Sequence, residues 1–160
     1  MTSGVVYVLD YEGNPHPRSL GRLAGDDWVV TPCRSIAELL EVHDPDQPSC
    51  LILIDSRSEV NPNRIRREVG AGVFDMPVVV IARCEAIGSA VKAMKRGAFY
   101  CVDHDAAPEI LREHVQAALA VSAQAHRRRE ERRVARESIS RFTPRERQVI
   151  HLVSEGFSTK

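Results

Sequence analysis

Two carboxylates each close a run of apolar residues. Asp10 ends VVYVLD (5–10) and Asp55 ends CLILID (50–55), with Glu12 two residues beyond the first. An acid in that place is either a chemical group or the first polar residue of a loop. Carboxylates brought to one crevice supply the oxygen ligands that a hard divalent cation takes. Other chemistry finds little support. Cys33, Cys50, Cys84 and Cys101 form no CxxC or CxxH pair, and the six histidines have no zinc spacing. No GxGxxG follows the first apolar run, no Walker loop occurs, and no nucleophile–base pair stands at a recognisable spacing. The cysteines read as free thiols packed as small hydrophobes in a reducing cytoplasm.

The elements that must position Asp10 and Asp55 follow from the hydrophobic pattern. Five runs scarcely alternate: 5–10, 28–31, 50–55, 77–82 and 98–102. Strands buried on both faces have this character and belong to parallel sheets covered by helices. Between them lie helical segments. Ser35 and Glu38 form a capping box before 35–43, and Pro62 opens a helix over 62–69. A third segment, 85–97, stops at Gly97. The segment 108–122 places Ile110, Leu111, Val115, Ala118, Leu119 and Ser122 on one stripe. The weakest helical segment, around 14–24, contains Pro15, Pro17 and Gly21.

Strand–helix alternation predicts an α/β, flavodoxin-like doubly wound sheet of five parallel strands in the order 2-1-3-4-5. The functional crevice of such a sheet lies past the carboxyl ends of strands 1 and 3. Asp10 and Asp55 are expected to face it. Trp28 is expected to shield the sheet, and Phe99 and Tyr100 to serve the core or a partner.

The chain is neutral overall but polarised. Residues 1–126 carry 12 basic against 17 acidic residues, and residues 127–160 carry 10 against 5. Such a tail fits an anionic partner. Segment 123–141 is polar, with opposite charges at helical spacing (Arg127 with Glu131, Glu130 with Arg133, Arg133 with Glu137), and reads as a solvated helical linker. In 142–160, Thr143, Pro144 and Glu146 open a further helix, Gly156 ends it, and Ser158 caps another. No apolar run approaches the roughly 20 residues of a membrane helix, and 43% apolar residues suffice for a core.

Two stretches carry a family resemblance. AVKAMKRGAF (90–99) resembles the fourth helix and fifth strand of FixJ-like receivers. FTPRERQVIHLVSEGFSTK (142–160) resembles the opening of a LuxR-type helix-turn-helix. Together they resemble a NarL/FixJ-family two-component response regulator. The resemblance implies a CheY-like receiver over 1–122, a charged helical linker over 123–141, and the first part of a DNA-binding domain over 142–160. The chain is expected to stop early in that domain, before a recognition helix, and not to bind DNA sequence-specifically as it stands.

Receiver chemistry brings a phosphoryl group to a carboxylate, and Mg²⁺ neutralises and positions the two anions. The resemblance puts Asp55 at the phosphoacceptor position and Asp10 at the first of two metal-holding acids. Tyr11 stands at the second, with Glu12 next to it. The hydroxyl residue ending strand 4 is Ala82, and the switching aromatic of strand 5 is Cys101. His104, followed by Asp105, replaces the lysine–proline pair ending strand 5. SEVNPN (58–63) replaces the usual loop after the acceptor.

A histidine carries charge only when protonated, and an adjacent acid opposes phosphate. Each lost charge-assisted contact costs about 1.5–3 kcal/mol. The resemblance, with these departures from it, therefore implies a cytoplasmic, non-enzymatic transcription regulator. Its atypical receiver serves homodimerisation and protein contact, its full-length form binds DNA, and it needs no membrane or cofactor beyond weakly held magnesium. In the alternative, Asp10, Glu12 and Asp55 hold that metal and Asp55 accepts phosphate from a sensor histidine kinase. A flavodoxin-like cofactor-binding protein is the third reading.

Overall fold

The computed structural model describes residues 4–10, 20, 23, 28–55, 61–69, 75–83 and 87–154, without the side chains of Glu68 and Ile87. Five strands form one parallel sheet: β1 (Val5–Asp10), β2 (Val29–Cys33), β3 (Ser49–Asp55), β4 (Val78–Ala82) and β5 (Tyr100–Asp103). Their order is β2-β1-β3-β4-β5, as the alternating pattern predicts. The expected second strand runs on through Pro32 to Cys33. A proline has no N–H to give, and an edge strand tolerates it. The expected helix around 14–24 falls almost wholly outside the described residues, as do Tyr11, Glu12, Cys84, Gly156 and Ser158.

The pleat divides the core in two. Val6, Val8, Ile52, Ile54, Val79, Ile81 and Val102 pack with Leu111, Val115, Ala118 and Leu119. The alternate residues Tyr7, Leu9, Leu51, Leu53, Val78, Val80 and Ala82 pack with Leu39 and Ile65. These two come from α1 (Ile36–Val42) and α2 (Pro62–Val69), and Ala93 of α3 (Ile87–Lys95) packs against the same cluster. Continuous apolar strands thus reflect burial on both faces. Trp28 is a core residue, as expected: its Nε1 donates to Leu23 O at 2.8 Å, and the Arg112 guanidinium lies 4.9 Å from its ring centre.

Local capping follows the sequence, with one shift. Glu38 N donates to Ser35 Oγ at 3.1 Å, but the Glu38 carboxylate accepts from Arg34 N at 2.7 Å, one residue upstream of the usual reciprocal bond. Asn61 caps α2 through its Oδ1, which accepts from Asn63 N at 3.0 Å. Gly97 closes α3 with φ +92°, while Ala98 N donates to Ala93 O at 3.1 Å. The positive φ favours glycine there, and a Cβ would also displace the Asn63 side chain.

The fourth helix, α4 (Pro108–Ser140), is uninterrupted across the expected boundary at 122. No glycine or proline follows Pro108 within it, and its later turns are rich in alanine, arginine and glutamate. Two compact units result, residues 1–124 and 125–160. Within the first, α4 buries Leu111, Val115, Ala118, Leu119 and Ser122. Ile110, expected on that stripe, is 44% exposed because it lies one residue off the 111–115–118–122 line. In the second unit, Arg133 bonds both Glu130 and Glu137 at 2.6 Å. The expected Arg127–Glu131 pair is not among the ion pairs of the described residues. Helix α5 (Pro144–Ser154) begins at the expected capping box: Thr143 N donates to Glu146 Oε2 at 2.7 Å, and Glu146 N donates to Thr143 Oγ1 at 3.4 Å.

Candidate functional site: the Asp55 cleft

Asp55 ends the central strand and is only 5% exposed. By register it faces Ala82, which in turn faces Asp103. The residue where the resemblance calls for a hydroxyl therefore stands directly opposite the acid, and it presents only a methyl group. His104 follows at the end of β5, its N–H donating to Ala82 O at 2.9 Å. Its imidazole Nδ1 lies 3.3 Å from Asp105 Oδ1. Cys101 is half-buried and packs against the cluster beneath α1–α3, and Cys33 and Cys50 are buried thiols. Burial pushes the Cys50 thiol up to about 12, which keeps it protonated at neutral pH.

Asp10 and Asp55 finish neighbouring strands, but not at the same level or on the same side. Asp10 pairs with Ile54, one residue short of Asp55. It alternates with Val6 and Val8, whereas Asp55 alternates with Leu51 and Leu53. The third acid proposed for a metal, Glu12, lies outside the described residues. Among the described residues no group of three or more His, Cys, Asp or Glu side chains could hold a metal ion.

A cavity of about 90 Å³ adjoins Asp55, lined also by Val80, Ala82, Ser89, Lys92, Ala93 and Arg96. Four of these residues come from one helical face and its C-terminal turn: 89, 92, 93 and 96 stand at i, i+3, i+4 and i+7. Among the described residues, the cavity lining therefore holds one carboxylate, one hydroxyl and two basic side chains. Magnesium demands near-octahedral oxygen ligation. Asp10 and Asp55, on alternate sides of the pleat, are the two described carboxylates of the three expected to hold it.

No signal in the sequence singles out Ser89, Lys92 or Arg96. Their helical spacing was visible, but which strand end that face meets depends on how the crossover packs.

The turn after α3 is held independently. Asn63 N donates to Arg96 O at 3.0 Å, and Arg66 Nη1 donates to Gly97 O at 2.8 Å. Burial lowers the Arg66 pKa, partly opposed by Asp75. On the other side of β5, Phe99 and Tyr100 meet edge to face at 4.9 Å, and Tyr100 lies 4.1 Å from the His114 ring. Both aromatics pack against the core.

No family model matches the chain, and no curated protein matches it. Solved structures do. The low-resolution structure of the response regulator StyR is 23% identical, with a TM-score of 0.75 over 96% of this chain and 78% of StyR. Full-length FixJ from B. japonicum is 19% identical, with a TM-score of 0.59 over 99% of this chain and 78% of that one. The structure titled FixJ-N is also 19% identical, with a TM-score of 0.57 over 75% and 96%. At these identities the likeness establishes the fold: residues 4–124 have the CheY-like receiver architecture that the resemblance implies.

Proposed function

We propose that the chain is a two-component response regulator of transcription whose receiver works as a dimerisation and protein-interaction module. Magnesium-dependent phosphorylation of Asp55 is not its switch. DNA binding belongs to the full-length protein, through the domain that α5 opens, and the receiver acts in the cytoplasm by contact rather than by catalysis. Among the described residues no helix is long and apolar enough to cross a membrane. The observation that carries the reading is Ala82 opposite Asp55: the side chain at the position that should answer a phosphoryl group has no donor.

Other features support it. The imidazole at the end of β5 is engaged with Asp105. Val91 and Met94 of α3 and Ile110 of α4 are 44–47% exposed, on the elements that pair receivers of this kind. A C₂ dimer built there would present two DNA-binding units to two half-sites.

The test is incubation with acetyl phosphate or a beryllofluoride mimic and Mg²⁺, read by intact mass and by sedimentation. We expect an unmodified Asp55 and an unchanged oligomeric state; stoichiometric modification with a change of state refutes the reading. One observation favours a second reading, in which Asp55 accepts phosphate from a sensor histidine kinase: the acid does end the central strand beside a cavity. Under it, Mg²⁺ binds at millimolar concentration and Asp55→Asn abolishes that binding.

A further inference from the structure

We infer that the linker part of α4 carries a nucleic-acid contact of its own: Arg128, Arg132 and Arg136 form a ladder that seats, without regard to sequence, on the phosphodiester backbone of duplex DNA. This goes beyond the proposed regulator, whose DNA binding lies in the domain that α5 opens, and it does not depend on how the receiver is switched.

The charged side chains of α4 beyond residue 126 are all exposed, and they divide by face. Glu130, Arg133 and Glu137 share one face, where the Arg133 guanidinium bonds each carboxylate at 2.6 Å. Two of the three acids between 127 and 140 are neutralised there. The third, Glu131, stands three residues from Arg128 and at helical spacing from no other member of the ladder.

The ladder itself is built differently. Its arginines stand at i, i+4 and i+8, within about 80° of arc and about 12 Å of rise. Arg132 and Arg136 have no acid three or four residues away in either direction. Among the described residues none of the three takes part in an ion pair. Like charges four residues apart repel and weaken a helix. The same few turns therefore pair their charges on one face and leave them self-repelling on another. A face meant only for solvent gains nothing from such a ladder, whereas an anion laid along it removes the repulsion.

The chemistry of the ladder selects its occupant. Between Arg128 and Arg136 the face holds no apolar side chain larger than Ala135. Protein partners bury an apolar core and are poor in charge at its centre. Duplex DNA offers instead a dense, regular line of phosphates, which the planar guanidinium fork bonds in bidentate fashion.

The test is fluorescence anisotropy of two short duplexes of unrelated sequence, titrated with the full chain over a range of salt. Wild type should bind both alike. Arg132→Gln/Arg136→Gln should weaken both roughly tenfold at low salt and flatten the log–log salt dependence by about 1.8, the share of two phosphate contacts. Arg127→Gln/Arg141→Gln removes the same charge from the far side of the helix and should leave both quantities close to wild type. Glutamine is nearly as good a helix former as arginine, and circular dichroism checks that the helix is kept. If it is lost, the wild-type chain decides: the Nε–Hε resonances of Arg132 and Arg136 should shift on adding duplex, and those of Arg127 and Arg141 should not. Equal losses in the two double variants, or no binding by wild type, overturn the inference and leave a solvated face. Binding of polyglutamate in place of DNA overturns it in favour of an acidic protein partner. Each of these results leaves the receiver reading standing, since modification of Asp55 decides that separately.

Discussion

The first and second units of this chain are held by different means, although α4 runs through both. Before residue 124, α4 buries Leu111, Val115, Ala118 and Leu119 against a sheet whose central strand has every residue buried. After it, α4 and α5 bury none of their described residues, and Val149, Ile150, Leu152 and Val153 are 41–56% exposed. The first unit is held by area removed from water. The second is held by local devices, chiefly the Arg133 bonds to Glu130 and Glu137 and the Thr143–Glu146 capping box. Helical order therefore says nothing by itself about stability; the same α-helix carries a core face in one half and only solvated turns in the other.

The comparison can be broken most directly by core truncation. Leu53→Ala, at a fully buried site, should cost about 2–5 kcal/mol by urea denaturation. Leu152→Ala, 49% exposed, should stay within about 0.5 kcal/mol. Equal costs would mean that α5 is packed in a way its exposure contradicts. Ser122→Ala comes next. Its Oγ accepts from the buried Ser49 N–H at 3.0 Å, and orphaning that donor should cost about 1–3 kcal/mol in the same assay. Thr143→Ala removes the acceptor at the start of α5 and should cost that helix about 1 kcal/mol. The loss should appear in the NMR shifts of 144–154 and leave the melting of residues 4–124 unchanged.

The smallest effect is one of pH. Hydrogen bonds from Thr143, backbone first, hold the Glu146 carboxyl below its ordinary value of 4.5, and the Arg133 hydrogen bond does the same for Glu130. Both carboxylates therefore favour the folded arrangement above pH 4.5. That contribution is lost as pH falls through their lower folded values. Acid titration of the full chain should fray the start of α5 and the Arg133 cluster while β3 and β4 stay protected. Amide exchange that is unchanged in 130–146 across that range would contradict the capping account.

Much of the first unit was legible because its signals are local. Non-alternating apolar runs located all five strands, and alternation with helices gave their order, since right-handed crossovers leave few alternatives. Asp10, Asp55 and Ala82 could be placed because each ends such a run. What the runs could not show was level and side. Asp10 stops one residue short of Asp55 and alternates onto the other face, a matter of register between strands far apart in sequence. Ser89, Lys92 and Arg96 escaped for a related reason: their helical spacing defines a face, while the packing of the β4–α3–β5 crossover decides what that face meets. Ile110 is apolar and adjoins the buried stripe, so its residue type alone does not show that it lies one position off that line. The linker read as helical, and it proved to be the continuation of α4.

The central claim is that the Asp55 cleft has lost the means to capture and answer a phosphoryl group. Intact-mass analysis after acetyl phosphate and Mg²⁺ treatment, paired with sedimentation of the same sample, tests it most directly. The account predicts the unmodified mass and the oligomeric state of the untreated protein. A stoichiometric adduct that Asp55→Asn eliminates, appearing together with a new oligomeric state, would contradict it.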